Sequence, residues 1–126
     1  MATSTIPNPN AVRETLTVEL ANSVAMSVIG GLAYGYRVGN QMICYVSLGF
    51  KATQQRAADV GVFRLRIDGK KIIPDAPYFI PCMVNSDGVM RFCYRDGTDG
   101  WWQNPITWNA NAEFRISGVY TGTISS

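Results

Sequence analysis

The side chains with the most distinctive chemistry lie in the last quarter of the chain, where three tryptophans follow a loop rich in glycine and aspartate. Trp101, Trp102 and Trp108 belong to the segment 96–108, which reads DGTDGWWQNPITW. An indole ring offers a broad apolar face and one N–H donor, which suits stacking against the C–H face of a sugar. Neighbouring side chains that could bond sugar hydroxyls are Asp96, Asp99, Gln103 and Asn104. The segment therefore predicts a carbohydrate-contact surface.

Two of these tryptophans are adjacent, and that adjacency limits where they can point. On a β-strand, neighbouring side chains point to opposite faces, so at most one of Trp101 and Trp102 can point into the core. We expect the other ring to be exposed or covered by a neighbouring subunit. The alternative is that the tryptophans only fill the core and subunit interfaces, as large aromatic residues often do.

The chain contains no histidine, which is the commonest general acid or base near neutral pH and a common metal ligand. Ser-His-Asp triads, Cys-His pairs and histidine zinc sites are thereby excluded. The three cysteines, Cys44, Cys82 and Cys93, lie in apolar runs, where burial raises the pKa of a thiol rather than activating it. No motif selects a pair of catalytic carboxylates. The sequence favours a binding protein over an enzyme, with no cofactor.

The loop 96–100 also invites a calcium-site interpretation, because Asp96 and Asp99 supply hard oxygen ligands on a glycine-rich turn. Calcium requires six to eight oxygens, and the EF-hand pattern with its closing glutamate is absent. Turn formation accounts for the same residues. We therefore predict no metal site.

Length and composition bound the remaining possibilities. A chain of 126 residues is long enough for one domain with a proper core, predicted at 12–126 after an extended arm at 1–11 that carries Pro7 and Pro9. The net charge is only +2 and no basic stripe is visible, so nucleic-acid binding is not expected. No apolar run is long enough to span a membrane, and the first residues do not resemble a signal peptide. We expect synthesis in the cytoplasm.

Period-two alternation of apolar residues dominates the chain and predicts an all-β fold, an antiparallel β-sandwich or β-barrel. The buried faces of these strands are predicted to carry Leu16, Val18, Leu20, Met42, Cys44, Val46, Leu48, Phe63, Leu65, Ile67, Phe114 and Ile116. Turn signals stand between the strands at Gly30-Gly31, Gly39-Asn40, Asp68-Gly69, Asp87-Gly88, Asp96-Gly97 and Asp99-Gly100. Only the segment 51–59 has a composition that could form a helical turn or two.

One hairpin can be set in register from the sequence. If Asp87-Gly88 forms a two-residue turn, Cys82 lies opposite Cys93 and Pro81 lies opposite Tyr94. Because proline cannot donate to a ladder, the strand should lie at a sheet edge or end there. Buried free thiols are favoured over a Cys82–Cys93 disulfide at this pair.

Two segments resemble phage tail-fibre tips and receptor-binding head domains. They are Tyr34–Val46, YGYRVGNQMICYV, and Asn109–Ile124, NANAEFRISGVYTGTI, with Ile80-Pro81 and Asp87-Gly88 between them. The resemblance implies a compact β head, assembled as a homotrimer in a virion tail or appendage, that binds saccharide on the host surface. It places the sugar site at Trp101, Trp102, Asp99, Gln103 and Asn104, with Arg95 and Trp108 alongside.

The sequence thus predicts a non-enzymatic virion or tail-appendage module that binds a host-surface saccharide as a homo-oligomer, with a trimer favoured. Two alternatives stay open. One is a structural capsid or baseplate assembly protein whose tryptophans are buried between subunits. The other is a cellular lectin-like module that binds carbohydrate.

Overall fold

A computed structural model describes residues 12–21, 23–24, 26–55, 61–76, 79–84, 90–95, 100–102 and 109–125, with the backbone alone at 79–84, 90–91 and 102. These residues form strands and turns without a helix, so the predicted all-β class is confirmed. None of them belongs to a helix that could cross a membrane. The ten strands within the described ranges are β1 (Arg13–Thr15), β2 (Thr17–Leu20), β3 (Met26–Val38), β4 (Gln41–Ala52), β5 (Gly61–Ile67), β6 (Lys70–Ala76), β7 (Phe79–Val84), β8 (Met90–Arg95), β9 (Gly100–Trp102) and β10 (Glu113–Ser125).

Strand pairing is antiparallel throughout and follows the order β1-β3-β4-β10-β6-β5-β9-β8-β7. Strand β10 is the central element, because β4 pairs with it over 113–123 while β6 and β7 share its other edge. Strand β2 pairs with β5. Because β1 pairs with β3, the chain crosses from the edge of β3 to the edge of β5 at Leu16. Leu16 is buried, and its N–H donates to the carbonyl of Ala33.

The core lies between the β4–β10 pair on one side and β5 with β9 on the other. Phe50 joins the two sides, with ring centroids 5.2 Å from Phe114 and 5.7 Å from Phe63. The alternating positions predicted from the sequence on β4, β5 and β10 are buried as expected. Val18 and Leu20 of β2 are partly buried against this core. Burial of one face of each strand explains why period two is so clear in the sequence.

Two tight turns have the predicted positions, and one predicted turn is wrong. Strands β3 and β4 are joined at Gly39-Asn40, and β5 and β6 at Asp68-Gly69, where both residues have positive φ. Gly30-Gly31 instead lies inside β3, beside a β-bulge between Val28 and Gly30. Positive φ at Gly31 and close backbone packing, rather than a reversal of the chain, account for the glycine there.

The expected helical turn at 51–59 is also not observed in its described part. Lys51 and Ala52 continue β4, and residues 53–55 are not helical, while 56–60 lie outside the described residues. Ala52 N–H donates to the carbonyl of Ala112 at 2.9 Å, so this end of β4 is held by the start of β10. Pairing across strands overrides the helix-compatible local composition.

The predicted register of the β7–β8 hairpin is wrong by two residues. Cys82 pairs with Arg91 and Pro81 with Phe92, whereas a two-residue turn at Asp87-Gly88 would place Cys82 opposite Cys93. Strand β7 neither lies at a sheet edge nor ends at Pro81, because it pairs with β8 on one side and β10 on the other and continues to Val84. Its ladder with β10 covers residues 82–84, so Pro81, which cannot donate, lies outside that ladder.

Candidate functional site

Three tyrosines form an aromatic cluster on the side of β3 and β4 that faces away from the core. The rings of Tyr34 and Tyr45 are stacked, with centroids 5.0 Å apart and an interplanar angle of 8°. Tyr36 meets both rings edge to face, at 6.2 Å from Tyr34 and 6.1 Å from Tyr45. The guanidinium carbon of Arg13 lies 3.8 Å from the Tyr34 ring centroid, a cation–π contact. The cluster is half-buried and lies on the surface of this chain.

The hairpin at Gly39-Asn40 creates this cluster. Its register places Tyr34 opposite Tyr45 and Tyr36 opposite Ile43, and directly opposite residues of an antiparallel pair share one face. Strand β1 adds Arg13 beside Tyr36 on the open edge of β3. The positions are fixed by backbone pairing, so the aromatic contacts are preorganised.

Exposed aliphatic side chains extend the aromatic cluster along the same face. Leu32 is 45% exposed and lies opposite Ser47, while Val119 of β10 is 47% exposed and lies opposite Tyr45. We call this surface the tyrosine face and define it by Leu32, Tyr34, Tyr36, Ile43, Tyr45 and Val119, with Arg13 at its β1 edge. The outer face of a free sheet is normally polar, so this apolar surface is a candidate for contact with a partner or a ligand.

The outward side of β2 and β5 shows the ordinary polar pattern in the same molecule. Glu19 accepts hydrogen bonds from Arg64 Nε at 2.8 Å and Arg66 Nε at 3.0 Å. These bonds, that of Arg66 foremost, lower the pKa of the Glu19 carboxyl below its usual value. Glu19 thus offsets the like-charge pairing of Arg66 with Lys71 across the β5–β6 turn. The contrast marks the tyrosine face as the functional candidate.

The predicted tryptophan site is only partly within the described residues. Trp101 is completely buried and meets Tyr120 at a ring distance of 4.9 Å, so its indole belongs to the core and has no face open to a sugar. Trp102 is the next residue of β9. Asp99, Gln103, Asn104 and Trp108 lie outside the described residues, as does Asp96 of the calcium interpretation.

Arg95 is adjacent to Trp101 in the sheet, as the predicted site requires. The two residues pair across β8 and β9, and Tyr94 pairs with Trp102. Arg95 Nη1 donates to the carbonyls of Pro74 at 2.7 Å and Asp75 at 3.1 Å, which ties β8 to β6. The structure therefore places Arg95 opposite the buried Trp101 and Tyr94 opposite Trp102, and the bonds of Arg95 join β8 to β6.

Cys44 and Cys93, the two cysteines with described side chains, are buried thiols, as predicted. Burial raises the pKa of the Cys44 thiol to about 12, against a smaller lowering by a hydrogen bond with Tyr120. A thiol in this state is a core side chain and a poor nucleophile at neutral pH. Across the described ranges, no three His, Cys, Asp or Glu side chains converge to hold a metal ion.

Sequence reasoning missed the tyrosine face although its signal was present. Tyr34 and Tyr36 are two residues apart on one strand, and the Gly39-Asn40 turn places Tyr45 opposite Tyr34. Comparison with known proteins adds no assignment: no protein-family model, curated protein or solved structure matches this chain.

Proposed function

We propose that this protein is a non-enzymatic assembly module that associates with copies of itself through the tyrosine face. The observation that carries the proposal is the contrast between the two outer surfaces of the fold. One has the charged residues of a solvated sheet, and the other has three clustered tyrosines with exposed Leu32 and Val119. Interfaces between subunits are enriched in tyrosine and depleted in charge at their centres.

The ring geometry favours a protein contact over a sugar contact at this face. Arg13 covers one face of the Tyr34 ring and Tyr45 covers the other, so this ring has no free face on which a pyranose could stack. What the cluster presents outward is ring edges and hydroxyls among aliphatic groups. The resemblance to tail-appendage heads supports a place for such a module in a virion particle.

Hydroxyl-radical footprinting at low and high protein concentration tests the proposal. We expect Tyr34, Tyr45 and Val119 to lose reactivity as the chain assembles, while side chains around Glu19 keep theirs. Equal labelling of the tyrosine face at all concentrations, in a protein that does associate, would assign the contact to another surface. A chain that stays single at high concentration would refute self-assembly.

Saccharide binding near β9 is the second candidate. The observation in its favour is that pairing across β8 and β9 places Trp102 opposite Tyr94. Because Trp101 is buried, Trp102 is the tryptophan of this strand that we propose for stacking on sugar. A glycan array compared between the native chain and Trp102→Ala tests it, with Val24→Ala, at an exposed residue outside the tyrosine face, as the control. Loss of glycan signal in Trp102→Ala alone supports the site, and no glycan signal in the native chain refutes it.

A further inference from the structure

Arg13 and Asp75 are charged groups at the two edges of the tyrosine face that have no ion-pair partner among the described residues. The same holds for Lys51, Glu113 and Arg115 farther along the outer side of β4 and β10. Within the described part of the chain, Arg13 makes the cation–π contact with Tyr34. Asp75 accepts one hydrogen bond, from Thr123 Oγ1 to Oδ2 at 2.7 Å, and lies near no described cation within ion-pair distance. The carboxylates of Glu14, Glu19 and Asp68, by contrast, are all paired with arginines.

The strand register places the backbones of these two residues at about one level, at opposite edges of the face. The Arg13 guanidinium lies over Tyr34, one row to one side, and the Asp75 carboxylate bonds Thr123, one row to the other, so a contact between them requires both side chains to turn toward the shared row. Arg13 pairs with Tyr36, Tyr36 with Ile43, Ile43 with Thr121, and Thr121 with Ala76. Asp75 adjoins Ala76 at the register shift between β6 and β10. The row crosses β1, β3, β4, β10 and β6, so β4 is its midpoint. At about 4.8 Å between strands, β1 and β6 are about 19 Å apart.

We infer that the tyrosine face binds a second copy of this chain across a two-fold axis that runs along β4, and this inference rests on the assembly function proposed above. Rotation about that axis places β1 of one chain opposite β6 of the other. Each row of residues stays at the same height along the strands. Arg13 then faces Asp75 of the partner subunit, and the reverse pair forms by symmetry. Each isologous contact is self-complementary in this way.

The same rotation matches the apolar groups. Tyr34, Tyr45 and Val119 occupy one row on β3, β4 and β10, so Tyr34 faces Val119 of the partner subunit. Tyr45 lies at the axis and faces Tyr45 of the partner subunit. Two twisted sheets pack face to face with their strands within about 30° of each other, which an axis along the strands permits.

The charge of Arg13 disfavours the alternative two-fold axis, which runs perpendicular to the strands through the Arg13 row. A two-fold axis across the strands at the level of the Arg13 row would keep β1 over β1, and Arg13 would face Arg13 of the partner subunit. Such like-charge juxtaposition disfavours a contact. The trimer expected from sequence resemblance has no two-fold axis, so the inference replaces it with a dimer or an assembly built from dimers.

The available area is sufficient for a stable contact. Strands β3, β4 and β10 along about ten residues, with the three residues of β1 and about six of β6, give a face of roughly 600 Å² at about 4.8 Å between strands and about 3.4 Å per residue. Two such faces bury roughly 1,200 Å² in total, at the lower end of the range of specific protein interfaces. Arg13 and Asp75 lie at the rim of this area and Tyr45 at its centre, where interface energy concentrates.

Charge reversal tests the pairing directly. We expect Arg13→Asp or Asp75→Arg alone to weaken dimerisation at least about tenfold in sedimentation velocity, because each places like charges at two symmetric positions. The double variant Arg13→Asp/Asp75→Arg should restore the native dissociation constant to within a few-fold. Lys70→Asp, an exposed reversal at the β5–β6 turn with the same change in net charge as Arg13→Asp, is the matched control and should leave the constant unchanged.

A second variant keeps the test decisive if a reversed chain fails to fold, which urea unfolding would reveal. Tyr45→Arg places two guanidinium groups at the axis and should give single chains, whereas Val24→Arg, at a residue 76% exposed outside the face, should not. If the native protein associates, and neither the charge reversals nor Tyr45→Arg change its dissociation constant, the two-fold contact is refuted and the assembly function is not. A native protein that never associates refutes both.

Discussion

Gly31 offers a sharp test of the β3 bulge that leads into the tyrosine face, because its neighbour Gly30 provides a matched control. A Cβ at Gly31 would lie 2.0 Å from the carbonyl oxygen of Ser47 and 2.8 Å from Leu48 Cα, both backbone atoms that cannot swing away. Gly31 also has φ of +95°, which side-chain-bearing residues rarely adopt. A Cβ at Gly30 meets no atom within 4 Å.

The expected cost of Gly31→Ala follows from these contacts. An unfavourable backbone conformation costs about 1–2 kcal/mol, and forcing an extra methyl group against packed atoms costs about 1–3 kcal/mol. We therefore expect a loss of about 3–4 kcal/mol in the free energy of unfolding. For a chain of this size that corresponds to a fall in Tm of about 10–15 °C. Gly30→Ala should change the free energy by no more than about 0.5 kcal/mol.

Urea unfolding followed by tryptophan fluorescence measures both variants, since the buried indole of Trp101 reports on the core. Gly31→Ala should unfold at a much lower urea concentration with an unchanged slope, which identifies a change in stability alone. If Gly31→Ala is as stable as Gly30→Ala, the bulge does not hold Gly31 against Ser47. The β3–β4 register that places Tyr34 opposite Tyr45 is then wrong as well.

The ionisable and nucleophilic groups give two further predictions. Hydrogen bonds from Arg66 and Arg64 lower the pKa of Glu19 from 4.5, so its stabilisation is present above that pH and is lost as pH falls through the folded-state pKa. Native protein should exceed Glu19→Gln in free energy of unfolding by about 0.2–1 kcal/mol at pH 7, because the carboxylate is 41% exposed, and equal stabilities at pH 7 would contradict the contact. Cys44 and Cys93 are buried, so a thiol reagent at pH 8 should label neither residue by peptide mass spectrometry until urea is added. Labelling of Cys44 at the same rate in folded and unfolded protein would contradict the core.

The sequence predicts most of the fold because burial of one face imposes period two on each strand. Met42, Cys44, Val46 and Leu48 are buried as the alternation indicates. Turns at Gly39-Asn40 and Asp68-Gly69 are predictable since their residues favour the positive φ that tight hairpins need. Prediction from local sequence fails where the same residues are compatible with two different backbone structures.

Gly30-Gly31 shows this failure, because glycine serves a bulge as readily as a turn and only the facing β4 backbone decides between them. The β7–β8 register fails for a related reason: an Asp-Gly signal does not fix how the strands on either side of it pair. The predicted tryptophan site depends in the same way on packing between strands, which the local sequence does not show. Trp101 and Trp102 look equivalent in sequence, yet packing against Tyr120 commits Trp101 to the core.

The measurement that tests the central claim most directly is sedimentation equilibrium on the native protein and on Tyr45→Arg over a wide concentration range. If the tyrosine face is buried between two-fold-related copies, the native protein reaches a mass of two 13.8 kDa chains, or an even multiple, and Tyr45→Arg remains a single chain. A native mass of one or three chains, or a dimer that Tyr45→Arg leaves intact, would contradict the claim.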